Sequence, residues 1–214
     1  LASTREKIDS ANAALWLDVL PLQRLLDAGA DAGDAGVEPD DDFVVRRAPM
    51  APESFALRLA QRAAEARARL RGQAPVLRHF DWIGYRGPRG TFDTRSYYQA
   101  LEPGLLPAGF FKDKIVLVGR SARTATELTR SQADLFNSPF GTAGGERLFP
   151  GVELQATLVD NYLTGGGLRS VSDGWTLALT ALLLPVLLWA SRRWHPAGVA
   201  ALTGVLVVAM GALS

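Results

Sequence analysis

The chain has 214 residues, a formal net charge of +1 and no cysteine. That length allows one domain with a substantial core, the near-neutral charge selects no nucleic-acid partner, and the missing thiols exclude disulfides, thiolate catalysis and cysteine-ligated metal. Positive charge is almost all arginine, with lysine only at Lys7, Lys112 and Lys114, which reads as composition bias rather than a binding patch.

The chain opens on Leu1 with no visible signal peptide and stops inside an apolar run at Ser214, so it is read as a piece of a longer protein. Residues 1–17 are mixed, and 11–20 suits a strand or the start of a helix. Segment 21–30 reads as a helix, with Pro21 in its first turn, Leu22, Leu25 and Leu26 on one face, and Gly29 near its stop. Segment 30–42 is small, polar and acidic, hence a loop. It closes on Glu38-Pro39-Asp40-Asp41-Asp42. Such a run could hold a hard cation, but it lacks the alternate-ligand spacing and glycine of a calcium loop. A solvated turn before a short strand at 43–47 is favoured.

The clearest soluble helix covers 52–71. Phe55, Leu59, Ala63, Ala66 and Leu70 recur at helical spacing, Pro52 fits the first position, Glu65 and Arg69 form an i,i+4 pair, and Gly72 ends it. Its arginines suit an anionic partner or, preferably, a solvated outer face. A strand centred on 81–85 leads into the tight loop Tyr85-Arg86-Gly87-Pro88-Arg89-Gly90, in which Arg86 lies nearest a strand end. Tyr97, Tyr98 and Leu101 predict a short amphipathic turn.

The rest of the chain is organised around 111–119, FKDKIVLVG. The uninterrupted run Ile115 to Val118 predicts a strand buried on both faces, in a sheet sandwiched by helices. Gly119 follows it, at the carboxyl end where open α/β sheets hold ligands; a lone glycine is also an ordinary turn residue. The polar stretch 120–145 reads as a lid, a binding loop or a disordered segment, and the candidate ligand site is placed there. Segment 151–163 predicts a helix with Val152, Ala156, Val159 and Leu163 on one face, stopped by Gly165-Gly166-Gly167. Glu153 falls in its first turn, where a carboxylate suits the helix dipole.

Residues 174–190 carry no charge and as a helix span about 26 Å, close to the roughly 30 Å hydrocarbon core of a bilayer. Trp175 and Trp189 stand near the ends as interfacial anchors, and Pro185 is a kink of the kind membrane helices tolerate. The turn 191–195 carries Arg192 and Arg193, and 196–214 is again apolar. This pattern predicts a transmembrane hairpin: helix 174–190, cytoplasmic turn 191–195, helix 196–214. Arginine in a short loop stays inside, so residues 1–170 are expected outside, in the periplasm or at the cell exterior.

Several motifs in order resemble one family. They are Pro39 to Arg47 (PDDDFVVRR), Tyr85-Arg86-Gly87-Pro88, Phe110 to Gly119, Asp134 with Ser138-Pro139, and Pro150 to Ala156 (PGVELQA). Together they resemble the CHASE2 domain, an extracytoplasmic sensor of bacterial transmembrane receptors, over roughly residues 20–170. The resemblance implies an α/β fold, a layered sheet with helices on both faces, followed by membrane helices and a cytoplasmic output such as a histidine kinase or nucleotide cyclase. It also implies that the start of the domain and a preceding membrane helix are missing here. Two positions depart from the family: Phe43 stands where its turn usually has glycine, and Gln155 where its second helix usually has histidine.

The leading functional expectation is a ligand-sensing input domain, multi-pass in the bacterial inner membrane and homodimeric. Arg46, Tyr85, Arg86, Asp134, Ser138, Glu153 and Gln155 are taken as candidate contacts for an unidentified small ligand, with no cofactor and no metal. Each also has an ordinary structural role open to it, such as pairing between Arg46 and Asp134. The signal is expected to pass from the 151–163 helix through 165–173 into the first membrane span. An enzyme is disfavoured, since His79 and His195 are the only histidines and no G-x-S-x-G elbow occurs. A ligand-free dimerisation or assembly module is the alternative.

Overall fold

The computed structural model begins with an antiparallel hairpin, β1 (Ala2–Ser10) and β2 (Ala13–Val19), with Thr4 opposite Val19 and Ser10 opposite Ala13. It describes residues 1–10, 13–49, 51–119, 134–140 and 148–171, with isolated positions further on. The chain divides into two units, Leu1–Arg169 and Ser170–Ser214. The first unit continues after β2 with α1 (Gln23–Asp27), β3 (Gly33–Asp34), α2 (Phe55–Arg71), α3 (Tyr97–Leu101), β4 (Leu135–Asn137), β5 (Leu148–Pro150) and α4 (Gly151–Thr164). β3, inside the stretch expected to be a loop, pairs parallel to β1 and completes a sheet of order β2-β1-β3.

The mixed α/β character is as expected, but the strands form two small sheets rather than one layered sheet. β4 and β5 are antiparallel neighbours, and single bridges carry that pairing sideways. Val44 bridges Asn137, Arg47 bridges Trp82, and Trp82 bridges Leu168. The strands expected at 43–47 and 81–85 are therefore side by side in the right place, reduced to a bridge or two each.

The central strand is the main correction. Residues 114–119 carry no strand pairing among the described residues, and their burial alternates. Ile115 and Leu117 are half-buried, whereas Val116 and Val118 are 48 % and 75 % exposed. That alternation belongs to an extended segment lying on the core with one side, not to a strand covered on both.

α2 is capped by Ser54, whose hydroxyl accepts from the Leu57 amide at 3.3 Å, and it ends at Gly72 in the left-handed conformation. It begins at Phe55, so Pro52 lies ahead of it and not in its first turn. Its buried face is Ala56, Leu57, Ala60 and Ala64, one step round from the predicted stripe. Leu70 is 73 % exposed. The small alanines are what let α2 pack closely on α4. Glu65 pairs with Arg62 and not with the expected Arg69, while Arg58 and Arg62 reach Asp31, so these two arginines are ion-paired. In α1 and α3 no residue is buried, and Tyr97, Tyr98 and Leu101 are all exposed. Neither packs as an amphipathic helix.

α4 is the core element. Glu153, Leu154, Gln155, Thr157, Leu158, Val159, Asn161 and Tyr162 are all buried, and Val152, Ala156 and Leu163 of the predicted stripe are only half-buried. With Val45, Phe80, Ile83 and Phe149 its apolar residues make the central cluster. The helix is too deeply placed for a single apolar stripe to describe it. Gly165, left-handed at φ +76°, ends it as expected.

Apart from isolated positions, the expected membrane hairpin lies outside the described residues, as does most of the polar stretch 120–145. Among the described residues no helix is long and apolar enough to cross a membrane.

Candidate functional site

The acidic turn and its arginines form the first cluster. The Arg46 guanidinium donates to both oxygens of Asp42, at 2.8 and 2.6 Å, and to Asp40 at 3.0 Å. Asp40 also meets Arg47 Nε at 3.5 Å, and the Arg47 guanidinium lies 5.4 Å over the Trp82 ring. So Arg46 pairs with the turn preceding it. Among the described residues no group of acidic and histidine side chains is placed to hold a metal ion.

Hydrogen bonds from Arg46, and then from the Val44 amide, pull the Asp42 carboxyl down to about 2. A carboxyl depressed in the folded state supports folding fully above its ordinary pKa near 3.8 and loses that support as pH falls through about 2. Acid titration is therefore expected to lower the melting temperature between about pH 4 and pH 2. Arg46→Gln should flatten that dependence, read by melting curves at stepped pH.

At the apex of the turn Phe43 adopts φ +62°, the left-handed region, and its side chain is 71 % exposed. A β-carbon there is strained, which gives a physical reason for the glycine that the resemblance implies at this point. Phe43→Gly is expected to stabilise the domain by about 0.5–1 kcal/mol, seen as a raised urea midpoint with unchanged m-value.

Tyr85 is half-buried beside this cluster. Its hydroxyl donates to the Val45 carbonyl at 2.7 Å, and its ring meets Phe149 and Phe140 edge-on, at 5.5 and 6.4 Å. Burial pushes its phenol above the usual range, with the Arg46 charge opposing. Ser138 is buried next to Asn137, whose carbonyl accepts from Val45. Arg46, Tyr85 and Ser138 thus gather around one extended segment.

The other four candidates are set out around α4. Glu153 accepts from the Gly90 amide at 2.8 Å, and Arg86 donates through Nε to Asp160. Residues 153 and 160 are two turns apart on one face, and together they strap down the 85–90 loop. Asp134 lies at the start of α4: its carbonyl accepts from the Gly151 amide, and a β-carbon on Gly151 would stand 1.8 Å from its Oδ1. Gln155, two residues from Glu153, faces the other way and donates to the Ala35 carbonyl at 3.0 Å. These four therefore lie on different sides of α4, apart from the three around the Val45 segment.

Sequence reasoning missed Asp160, the partner of Arg86, and Asn161. The Asn161 amide donates to Gly84 O at 2.9 Å and accepts from Gly84 N at 2.7 Å, matching the backbone as a strand neighbour would. The available signal was the polar Asp-Asn step between the apolar Val159 and Tyr162.

The CHASE2 domain family model matches residues 4–191. The chain belongs to the CHASE2 family, an extracytoplasmic sensor domain family. The match starts at residue 4, so it takes in the β1–β2 hairpin, ahead of the point near residue 20 where the motifs place the start of the resemblance. No curated protein and no solved structure matches the chain.

Proposed function

We propose that this CHASE2 domain is the ligand-sensing input of a bacterial membrane receptor. It lies outside the inner membrane and passes a conformational signal through transmembrane helices to a cytoplasmic kinase or nucleotide cyclase, with no chemistry of its own. The observation that carries the reading is the family match over residues 4–191. A ligand that binds one arrangement of the domain better than another shifts the population toward it. The exit from α4 suits such transmission. The Leu168 amide donates to Trp82 O at 2.9 Å, the amides of Asp81 and Trp82 donate back to Leu168 O, and Arg169 Nε donates to His79 O. The segment leaving the domain is thus held against the segment that meets the acidic turn.

Topology is tested first. The chain has no cysteine, and Val76 is 81 % exposed. Val76→Cys should be labelled in intact cells by a maleimide that does not cross membranes; protection until lysis would overturn the extracytoplasmic placement. The seven-residue contact set is tested by receptor output: Arg86→Ala and Glu153→Ala should blunt the response, and an intact response in both removes the set. The second reading, a ligand-free homodimerisation module, is favoured by the exposed apolar residues Tyr97, Tyr98, Leu101, Val116 and Val118. Tyr98→Glu would then split the dimer in light scattering, and no added solute would shift the melting temperature of the parent protein.

A further inference from the structure

One buried polar atom in this core has no partner among the described residues: Oε1 of Gln155. Gln155 is only 8 % exposed. Its amide cannot be turned round, because Nε2 donates to the Ala35 carbonyl and the reverse setting would put two acceptors against each other. The carbonyl oxygen therefore points away from Ala35 as a desolvated acceptor, a state that folding normally avoids.

Two chain segments approach the first turns of α4 here. Residue 155 follows 151 and 152 by one turn on the same side of α4. Gly119 closes on Val152, where a β-carbon would stand 2.5 Å from Val152 Cβ. Ala35 follows directly on β3, and Gly119 directly on the extended run 115–118. Two extended segments thus end on the first turns of α4, Ala35 at Gln155 and Gly119 at Val152. The Asp134 carboxylate, against Gly151, lies one helical turn away, about 6 Å along the axis. Gln155 Oε1 and the Asp134 carboxylate are both acceptors, and Glu153 adds a second carboxylate to the same first turn. The positive end of the helix dipole is already matched by these side chains, so an anion would meet like charge there.

We propose that the first turns of α4, where Ala35 and Gly119 meet them, bind a small solute rich in hydrogen-bond donors, hydroxyl or ammonium groups. One donor satisfies Gln155 Oε1, and a second, about one turn away, meets Asp134. The proposal rests on the sensing reading and specifies its site.

The test uses the full chain in detergent and follows melting temperature with low-millimolar probes: glycerol and glucose for hydroxyl donors, ethylenediamine for ammonium donors, phosphate and acetate as acceptors. A saturable rise of about 5 °C is expected for a hydroxyl or ammonium probe. Gln155→Leu should abolish it, and Gln155→His, which keeps one donor and one acceptor, should retain it even if the leucine variant fails to fold. Asp134→Asn should weaken an ammonium probe about tenfold and a hydroxyl probe far less, which tells the two sources apart. A rise with phosphate or acetate, no rise with any donor probe, or a rise that survives Gln155→Leu overturns the proposal. Receptor output separates the two levels. A response to the medium that Gln155→Leu leaves unchanged removes this site and keeps sensing, whereas indifference to every addition removes both.

Discussion

Asn161→Leu is expected to destabilise the domain by about 3 kcal/mol, a loss of about 6–12 °C in melting temperature for a unit of this size. Asn161 is fully buried, and its amide satisfies both backbone groups of Gly84. Leucine has a similar volume and would pack among Leu158 and Tyr162, so the cost is not a cavity. It is the loss of both partners for a half-buried N–H and C=O, about 1–3 kcal/mol each when no replacement forms, reduced here because Gly84 keeps some access to water. Asn161→Asp should be worse, since it removes the donor and adds a buried charge. The measurement is urea unfolding of the three proteins. A change below about 0.5 kcal/mol for the leucine variant, the range of an ordinary surface substitution, would show that the pairing with Gly84 contributes nothing.

What the sequence made legible depends on which interactions are local. Gly72 and Gly165 end their helices as expected because a left-handed residue after a helix is a property of a few neighbouring positions. The acidic turn was readable for the same reason, since Arg46 folds back on aspartates only four and six residues away. Faces were not readable. In α2 the large residues Phe55, Leu59 and Leu70 drew the predicted stripe, but the contact with α4 selects small ones, Ala56, Ala60 and Ala64. An alanine-rich helix has apolar residues on every side, so its own periodicity cannot say which side meets a neighbour. The run Ile115 to Val118 failed similarly, because an unbroken apolar run does not record whether one side or both will be covered. For the candidate contacts, the sequence offered polar residues but not their partners. Arg86 with Asp160 and Gln155 with Ala35 join positions far apart in the chain, and no spacing rule connects them. Phe43 is the case where a departure from the family's pattern marked a physical constraint, a left-handed turn occupied by the wrong kind of residue.

Gly84→Ala is expected to cost as much as Asn161→Leu, about 3 kcal/mol, and to do so from the other side of the same contact. A β-carbon on Gly84 would stand 1.8 Å from the Gly166 carbonyl oxygen and 2.7 Å from its carbon. Both are backbone atoms, so no side chain can swing aside. Gly84 and Gly166 are also the next pair along the antiparallel register that sets Trp82 opposite Leu168, which makes the collision a wedge at the start of the exit segment. Two consequences separate it from a general loss of stability. The Leu168 amide, bonded to Trp82 O in the native protein, should exchange with solvent far faster in the variant than the amides inside α2, under conditions where both proteins are folded. In the double variant with Asn161→Leu, the two losses should sum to well under the additive value, because either change alone already opens the Gly84 contact. Full additivity, or uniform acceleration of exchange across α2 and residue 168, would mean that the α4 exit is not held at Gly84. Under the proposed sensing role, an exit segment released in this way would leave α4 unable to pull on the chain beyond it. The alanine variant should therefore retain ligand binding when folded and lose the response of the output.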